Sequence, residues 1–188
     1  MRKLNAKELR GIKGTKPSLN FRRARKNSIY IVLDNVLDTY NVGSIFRLAD
    51  AVAAEKVILC GETQVPPNSR IKKASINTTE VVEWEYSPTA IEAISKIKNQ
   101  ISNIKIIGIE QSPKSVPYTK IKITFPVVLV AGNETHGVSK EVLEMCDEIA
   151  EIPMWGINKS LNVMVSLGII LYKLTETLSQ ESNTSPGK

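Results

Sequence analysis

The stretch DNVLDTYNVGSIFRLADAVAAEKVIL, residues 34–59, decides how this 188-residue chain folds. A short loop opens it, and apolar residues then fall at 42, 45, 46, 49, 52 and 53, the spacing of a helix with one buried stripe. SIYIVLD (28–34) precedes the loop and KVILC (56–60) follows the helix, and both are short apolar runs containing β-branched residues, as strands are. Strand, helix, strand is the unit of a parallel sheet. Asn41 is expected to begin the helix and cap it. Arg47, about one and a half turns further on, is expected near Asn41 on the polar side, opposite Val42, Ile45, Phe46 and Ala49, with Asp50 as an i,i+3 partner. Gly43 leaves room for a close approach by another group, or else serves a tight turn.

The same alternation continues outward. Strands are predicted over 80–86, 104–110, 125–132 and 148–154, and helices over 89–99, from Ser139, and over 160–178. Thr89, Ser139 and Ser160 are candidate N-caps, which leaves Asn162 one residue inside an apolar helix, a costly place unless its amide is bonded. FPVVLVAG (125–132) is the most hydrophobic strand and is expected at the sheet centre. Continuous apolar strands, instead of strictly alternating ones, predict an α/β fold: a mostly parallel sheet with helices on both faces. Three regions are read: a basic extension (1–27), a folded domain (28–178) and a flexible polar tail (179–188).

Charge is unevenly spread. Residues 1–26 contain ten Lys or Arg and one Glu, a net of +9, whereas the whole chain carries +6, so the remainder nets −3. A basic arm on a near-neutral body points to a polyanionic partner, most simply nucleic acid. Arg22, Arg23, Arg25 and Lys26 in the arm are the candidate nucleic-acid contacts. The two cysteines, Cys60 and Cys146, read as buried thiols in a reducing compartment. The N-terminus has no signal-peptide pattern, and the apolar run near 161–172 is too short for a membrane span, so a cytoplasmic protein is expected.

Three polar segments follow predicted strands, where open parallel sheets place their sites. They are DNVLDTYNVG leading into Asn41 and Arg47, then GNETHG with Gly132, Asn133, Glu134, His136 and Gly137, and PMWGINKSLN with Ser160 and Asn162. Neither a dinucleotide G-x-G-x-x-G, nor a Walker loop, nor a G-x-S-x-G elbow occurs. His136 reads as a loop residue, because no carboxylate stands beside it to orient a base. Glu134 alternatively only anchors its loop through backbone amides. Asp34, Asp50 and Glu134 are the carboxylates available to a metal, but they fall on different kinds of element, and no metal is expected.

NVGSIFRLADA, LVAGNETHGVS and IPMWGINKSLNVMVSLGIILY together resemble the three motifs of the SpoU (TrmH-like) family of RNA ribose 2′-O-methyltransferases, in order and in spacing, over residues 28–175. The resemblance implies an α/β fold with a deep C-terminal trefoil knot, a bound S-adenosylmethionine that leaves as S-adenosylhomocysteine, a tRNA or rRNA substrate, and a homodimer joined through the knot and closing helix. It implies catalytic roles for Asn41, Arg47, Glu134, Ser160 and Asn162, makes the nucleic acid an RNA, and adds Arg47 to the RNA contacts. Carried onto this chain, the cofactor contacts are Val130, Ala131, Gly132, Asn133, Glu134, Gly137, Ile152, Met154, Ser160, Leu161 and Asn162, with Ile152, Met154 and Leu161 as the apolar slot for adenine. Two departures stand out: Leu48 replaces the family's usual Thr after the motif Arg, and KKASINTTE (72–80) differs from the family's stretch at 75–79. A methyltransferase for another target, or an RNA-binding module without chemistry, are the competing classes.

Overall fold

The computed structural model describes residues 3–11 and 26–184, with side chains as far as 178. Arg22, Arg23 and Arg25 lie outside the described residues. After a short helix, α1 (Ala6–Arg10), the chain runs β1 (Asn27–Asp34), α2 (Thr39–Ala51), β2 (Ala54–Cys60), α3 (Ser69–Ser75), β3 (Trp84–Ser87) and α4 (Ala90–Gln100). It continues through β4 (Lys105–Ile109), β5 (Val116–Pro117), β6 (Val127–Gly132), α5 (Lys140–Met145), β7 (Glu148–Glu151) and α6 (Val163–Thr184). The seven strands form one sheet, ordered β3-β2-β1-β6-β4-β7-β5, and every neighbouring pair is parallel. The hydrophobic strand β6 is at the centre, fully buried along its length.

Strand parity builds two cores. Ile29, Ile31 and Leu33 of β1 and Val127, Leu129 and Ala131 of β6 point to the face covered by α2, α3 and α6, where they meet Val42, Ile45, Phe46, Ile71, Leu167 and Ile170. Val32, Val128 and Val130 point to the other face, against Ala93, Ile94 and Ile97 of α4 and Val142 of α5. Both faces are therefore dry, which is why the strands lack polar alternation.

Several local readings are corrected. Asp38, not Asn41, caps α2, its carboxylate accepting the Tyr40 N–H, and Asn41 is buried in the first turn at 6 % exposure. Gly43 serves helix packing and not ligand approach, since a Cβ there would lie 2.6 Å from Ala74 Cβ and 2.7 Å from Ile71 O on α3. Helix α3, for which the sequence reading assigned no element, begins at an Asn68 cap. The third strand starts at Trp84, after a single 3-10 turn at Thr78–Glu80, and the loop after β4 contains the short β5. Ser139 precedes α5 but makes no capping bond, because its hydroxyl and amide both donate to Asp34 Oδ2, at 2.7 and 2.9 Å. The last helix starts at Val163, so Ser160 caps nothing, while Asn162 stands at the cap position, accepting from the Met164 and Val165 amides. It also runs to Thr184, into the stretch read as tail. Thr89 caps α4 as expected.

Candidate functional site

The carboxyl ends of β4, β6 and β7 open into a cavity of about 560 Å³. Its walls come from the β6 end and the following loop (Ala131 to Gly137), from Ile152 and Met154 after β7, and from the segment Asn158–Val163 leading into α6. The loop after β6 is a tight hairpin. Asn133 and Gly137 exchange both backbone bonds, at 3.0 and 2.8 Å, and the Asn133 carboxamide accepts the Thr135 and His136 amides while donating to Asn35 O. Gly137 has φ +70° and Gly132 lies beneath it, where a Cβ would stand 2.2 Å from the Gly137 carbonyl carbon. Both positions therefore require glycine.

Glu134 is held from three sides. Its carboxylate accepts the Leu37 and Asp38 amides at 3.0 Å each and the Asn41 amide at 2.9 Å. Burial works against its charge, but the bonds from Asn41, Leu37, its own amide and Asp38 hold its pKa below the ordinary glutamate value. Asn41 Oδ1 in turn accepts from Asn162 Nδ2 at 2.9 Å. A single chain, Glu134–Asn41–Asn162, thus links the three polar segments read from the sequence; it satisfies the buried Asn41 carboxamide and gives the exposed Asn162 amide the partner that the sequence reading asked for.

Of the candidate cofactor contacts, Ala131, Gly132, Asn133, Glu134, Gly137, Ile152, Met154, Ser160, Leu161 and Asn162 all line the cavity. Val130 does not. It lies on the opposite face, packed among Val32, Val128 and Val142, because successive side chains of a strand alternate. Asn41 does not line the cavity either, but acts on it through Glu134 and Asn162. Arg47 is displaced from both: six residues beyond Asn41 it faces about 120° away around the helix. It opens into a second cleft with Ala6, Leu9, Asp50, Ile76 and Thr78, and no ion pair joins it to Asp50 among the described residues. Lys26 is turned inward, its ammonium donating to Ala54 O and Glu55 O at 3.0 Å, so it ties the arm to β2.

Glu110 was missed by sequence reasoning. It follows β4, and its carboxylate accepts the Val138 amide at 2.9 Å and the Gln111 amide at 2.9 Å, bracing the glycine hairpin from below. Its place at a carboxyl-end strand terminus was the available signal. His136 lines the cavity from an exposed loop position. Asp34 is buried and spends its oxygens on Ser139 and Asn35. Among the described residues, no group of three or more His, Cys, Asp or Glu side chains comes together to hold a metal ion.

A parallel α/β sheet with a glycine-walled, amide-rich cavity at its carboxyl edge defines a protein of the nucleotide-cofactor class. The chain belongs to the SpoU rRNA methylase family, whose model matches residues 28–172. It is 34 % identical over 155 residues to the tRNA (guanosine(18)-2′-O)-methyltransferase of Aquifex aeolicus (strain VF5), covering 79 % of this chain and 69 % of that protein. It is 31 % identical over 150 residues to the 23S rRNA (guanosine-2′-O-)-methyltransferase RlmB of Haemophilus influenzae (strain ATCC 51907 / DSM 11121 / KW20 / Rd), covering 80 % of this chain and 60 % of that one. The crystal structure of the A. aeolicus TrmH/SpoU tRNA modifying enzyme superposes with a TM-score of 0.75 at 27 % identity, covering 94 % of this chain and 84 % of that one. An AdoMet-bound rRNA methyltransferase from Sinorhizobium meliloti superposes with a TM-score of 0.74 at 29 % identity, over 90 % of this chain and 60 % of the other. The chain therefore spans about 60 % of the length of its longer relatives and carries their methyltransferase domain, with the parallel sheet and C-terminal knot of that fold family.

Proposed function

We propose that this chain is an S-adenosylmethionine-dependent methyltransferase acting on a ribose 2′-hydroxyl of structured RNA, with tRNA the first candidate and rRNA the second. The observation that carries this reading is the cavity whose walls the three motifs build together through Glu134, Asn41 and Asn162. Its volume suits a ligand of nucleoside size. Ile152, Met154 and Leu161 supply the apolar wall for a flat ring, and the hairpin at 132–137 supplies backbone groups for polar edges.

Bound S-adenosylmethionine would supply a methyl group already activated on a sulfonium. The protein's share is then to hold donor and acceptor in line and to ease loss of the hydroxyl proton. Glu134 acts as the brace of the hairpin, its lone pairs committed to amides, and Ser160, exposed at the cavity mouth, is the group free to meet the ribose. Arg47 suits a clamp on an RNA phosphate that also polarises the developing ribose oxyanion, and not a proton acceptor, since an arginine stays charged at any working pH. The proton of the 2′-hydroxyl would pass to water as the methyl group moves from sulfur to oxygen, the S–C electron pair staying on sulfur as a neutral thioether.

The basic N-terminal extension (1–27) serves RNA contact and residues 28–178 form the catalytic domain. The partner is a second copy of the chain. Leu161, Val165 and Tyr172 stay 38 %, 39 % and 55 % exposed around the start and outer face of α6, and Trp155 and Ile157 are fully exposed on the loop before it. No helix among the described residues is long and apolar enough to cross a membrane, and Cys60 and Cys146 are both free thiols, which supports a cytoplasmic location.

Titrating the purified protein with S-adenosylmethionine, before and after chelation of divalent ions, tests the cofactor reading. Equal saturable binding is expected in both, and binding that depends on a metal would overturn it. Comparing 2′-O-methyl maps of total RNA from cells with and without the active gene then identifies the target.

A further inference from the structure

Helix α1 is only five residues long, too short to persist by itself. Two devices hold it. A capping box closes its start: Asn5 Oδ1 accepts the Lys7 and Glu8 amides, and Glu8 Oε2 accepts the Asn5 amide. Its end is closed from a distant part of the chain. Asn77 Nδ2 donates to Leu9 O at 3.1 Å and to Arg10 O at 3.3 Å. These are carbonyls that a helix C-terminus leaves without intrahelical partners. Asn77 itself is 5 % exposed and sits at φ +64°, a left-handed conformation that Asn tolerates better than most residues.

This clip sets α1 beside α2. Gly43 lets α2 lie against α3 at Ile71, Ala74 and Ser75. One turn further along α2, Arg47 opens into the cleft of about 260 Å³ whose other wall is Ala6 and Leu9 of α1. With Ala6 and Leu9 facing the cleft, Lys7 and Arg10, also three apart, remain exposed. Lys72 and Lys73 are exposed in the last turn of α3, just before Ile76 and Asn77. The acids on this surface are Asp50 in the cleft and Glu8 in the capping box.

We propose that Asn77 is an RNA-positioning residue: by clipping α1 to the α2–α3 face it assembles Lys7, Arg10 and Arg47 into one surface for an RNA phosphate backbone. Asn77 touches no RNA. It acts by fixing where two cations stand relative to Arg47, so that phosphate contacts form without first ordering the helix. The proposal rests on the RNA-methyltransferase reading above and adds to it a residue from the stretch 75–79, where the sequence departs from the family pattern.

The test uses the full chain and bulk tRNA as the probe, with affinity measured across a salt series. Asn77→Gly is the informative variant, because glycine keeps the left-handed backbone while removing the carboxamide. It should bind bulk tRNA roughly tenfold more weakly, the scale of one to two lost hydrogen bonds. Its salt slope should be shallower by about two, one for each lost phosphate contact. Lys7→Ala/Arg10→Ala should reproduce that loss, and adding Asn77→Gly to the pair should cost nothing further, since both act through the same contacts. In turnover the RNA KM should rise while single-turnover rate at saturation and S-adenosylmethionine affinity stay unchanged. Leu9→Ala loosens the same docking from the other side, so it carries the test if Asn77→Gly fails to fold. Wild-type affinity and salt slope for Asn77→Gly or Leu9→Ala, with the Lys7/Arg10 pair weakened, would overturn the clip and leave the basic helix standing. If instead the Lys7/Arg10 pair and removal of residues 1–26 both leave tRNA binding unchanged, the RNA role of the whole arm falls with the clip.

Discussion

Asn41 is bonded to residues 93 and 121 positions further along the chain, Glu134 and Asn162, and is nearly inaccessible to water. Truncating it strips a donor from Glu134 and an acceptor from Asn162; both groups reach water, so each lost bond costs about 0.5–1.5 kcal/mol. Asn41→Ala should therefore lower the melting temperature and weaken S-adenosylmethionine binding together. Asn41→Asp should be worse, since it sets a second carboxylate against Glu134. Isothermal titration beside a thermal melt checks both, and an alanine variant with wild-type values in each would remove the network from the site. The charge on Glu134 gives a pH signature of definite sign. Its pKa is lowered in the fold, so its contribution is complete above the ordinary glutamate value, about 4.3, and disappears as pH falls through the lower folded value. Cofactor affinity should accordingly be flat across neutral pH and decline only in acid; Glu134→Gln should abolish that acid limb, because an amide does not titrate there, and should lower affinity at every pH, because its nitrogen cannot accept the second backbone N–H. Arg47 behaves differently. Arg47→Ala should leave cofactor affinity intact, as it does not line the cavity, yet lose at least about 100-fold in single-turnover transfer at saturating RNA, the scale of a lost oxyanion donor. A raised RNA KM with an unchanged saturated rate would instead confine it to holding phosphate. Arg47→Lys should not rescue fully, because a point charge lacks the planar fork.

At the scale of elements, the glycine hairpin after β6 makes the sharpest comparison. A Cβ at Gly132 would run into Gly137 and Val138 backbone at 2.2 Å, whereas a Cβ at Gly156 has nothing within 4 Å. Gly132→Ala should displace the hairpin and sharply weaken S-adenosylmethionine binding, by the about 1–3 kcal/mol of an overpacked site, while Gly156→Ala should bind as wild type. Equal affinities would mean that the hairpin does not form the cofactor wall. These elements also show what the sequence could convey. Periodicity located α2 by its one buried stripe, and the strands by their continuous apolar runs, because both faces of the sheet are covered. It placed Asn41 at a helix start because Asn is a frequent cap, but Asp38 lies three residues earlier and took that role. Helix α3 escaped because its inward side is a small stripe, Ile71, Ala74 and Ser75, against Gly43 of α2, too short to give a periodic signal. Val130 could have been excluded by parity alone, since Ala131 and Val130 cannot face the same side of β6. Leu48, where the family has Thr, packs toward α6, lying 3.4 Å from where a Cβ on Gly168 would stand. The three motifs were legible as polar islands in an apolar frame. The hydrogen-bond chain between them was not, because partners about a hundred residues apart are set by topology and not by spacing.

Across the whole molecule, the outer side of α6 links assembly to the site. Leu167, Ile170, Leu171 and Leu174 are fully buried against the sheet, which accounts for the inner side of this helix. Val165 and Tyr172, seven residues apart and so on one side, remain 39 % and 55 % exposed, and Leu161 and Trp155 extend the same apolar character toward the cavity mouth at 38 % and 90 %. A cluster of large apolar side chains left in water is costly, and a self-complementary contact between two copies buries it on both at once. Light scattering at low micromolar concentration should give about twice the 20.8 kDa chain mass. Val165→Lys/Tyr172→Lys should shift the protein to the single-chain mass, because two like-charged ammonium groups then face their own copies across the contact. S-adenosylmethionine affinity gives the second readout. Leu161 lines the cavity and stands four residues before Val165, so loss of the partner should loosen the cavity wall and weaken binding as the dimer dissociates. Affinity that follows protein concentration through the dissociation range would tie the two together. A wild-type chain that scatters as 20.8 kDa, with cofactor bound at full affinity, would make α6 the covering of one subunit's knot and leave its exposed residues to another partner.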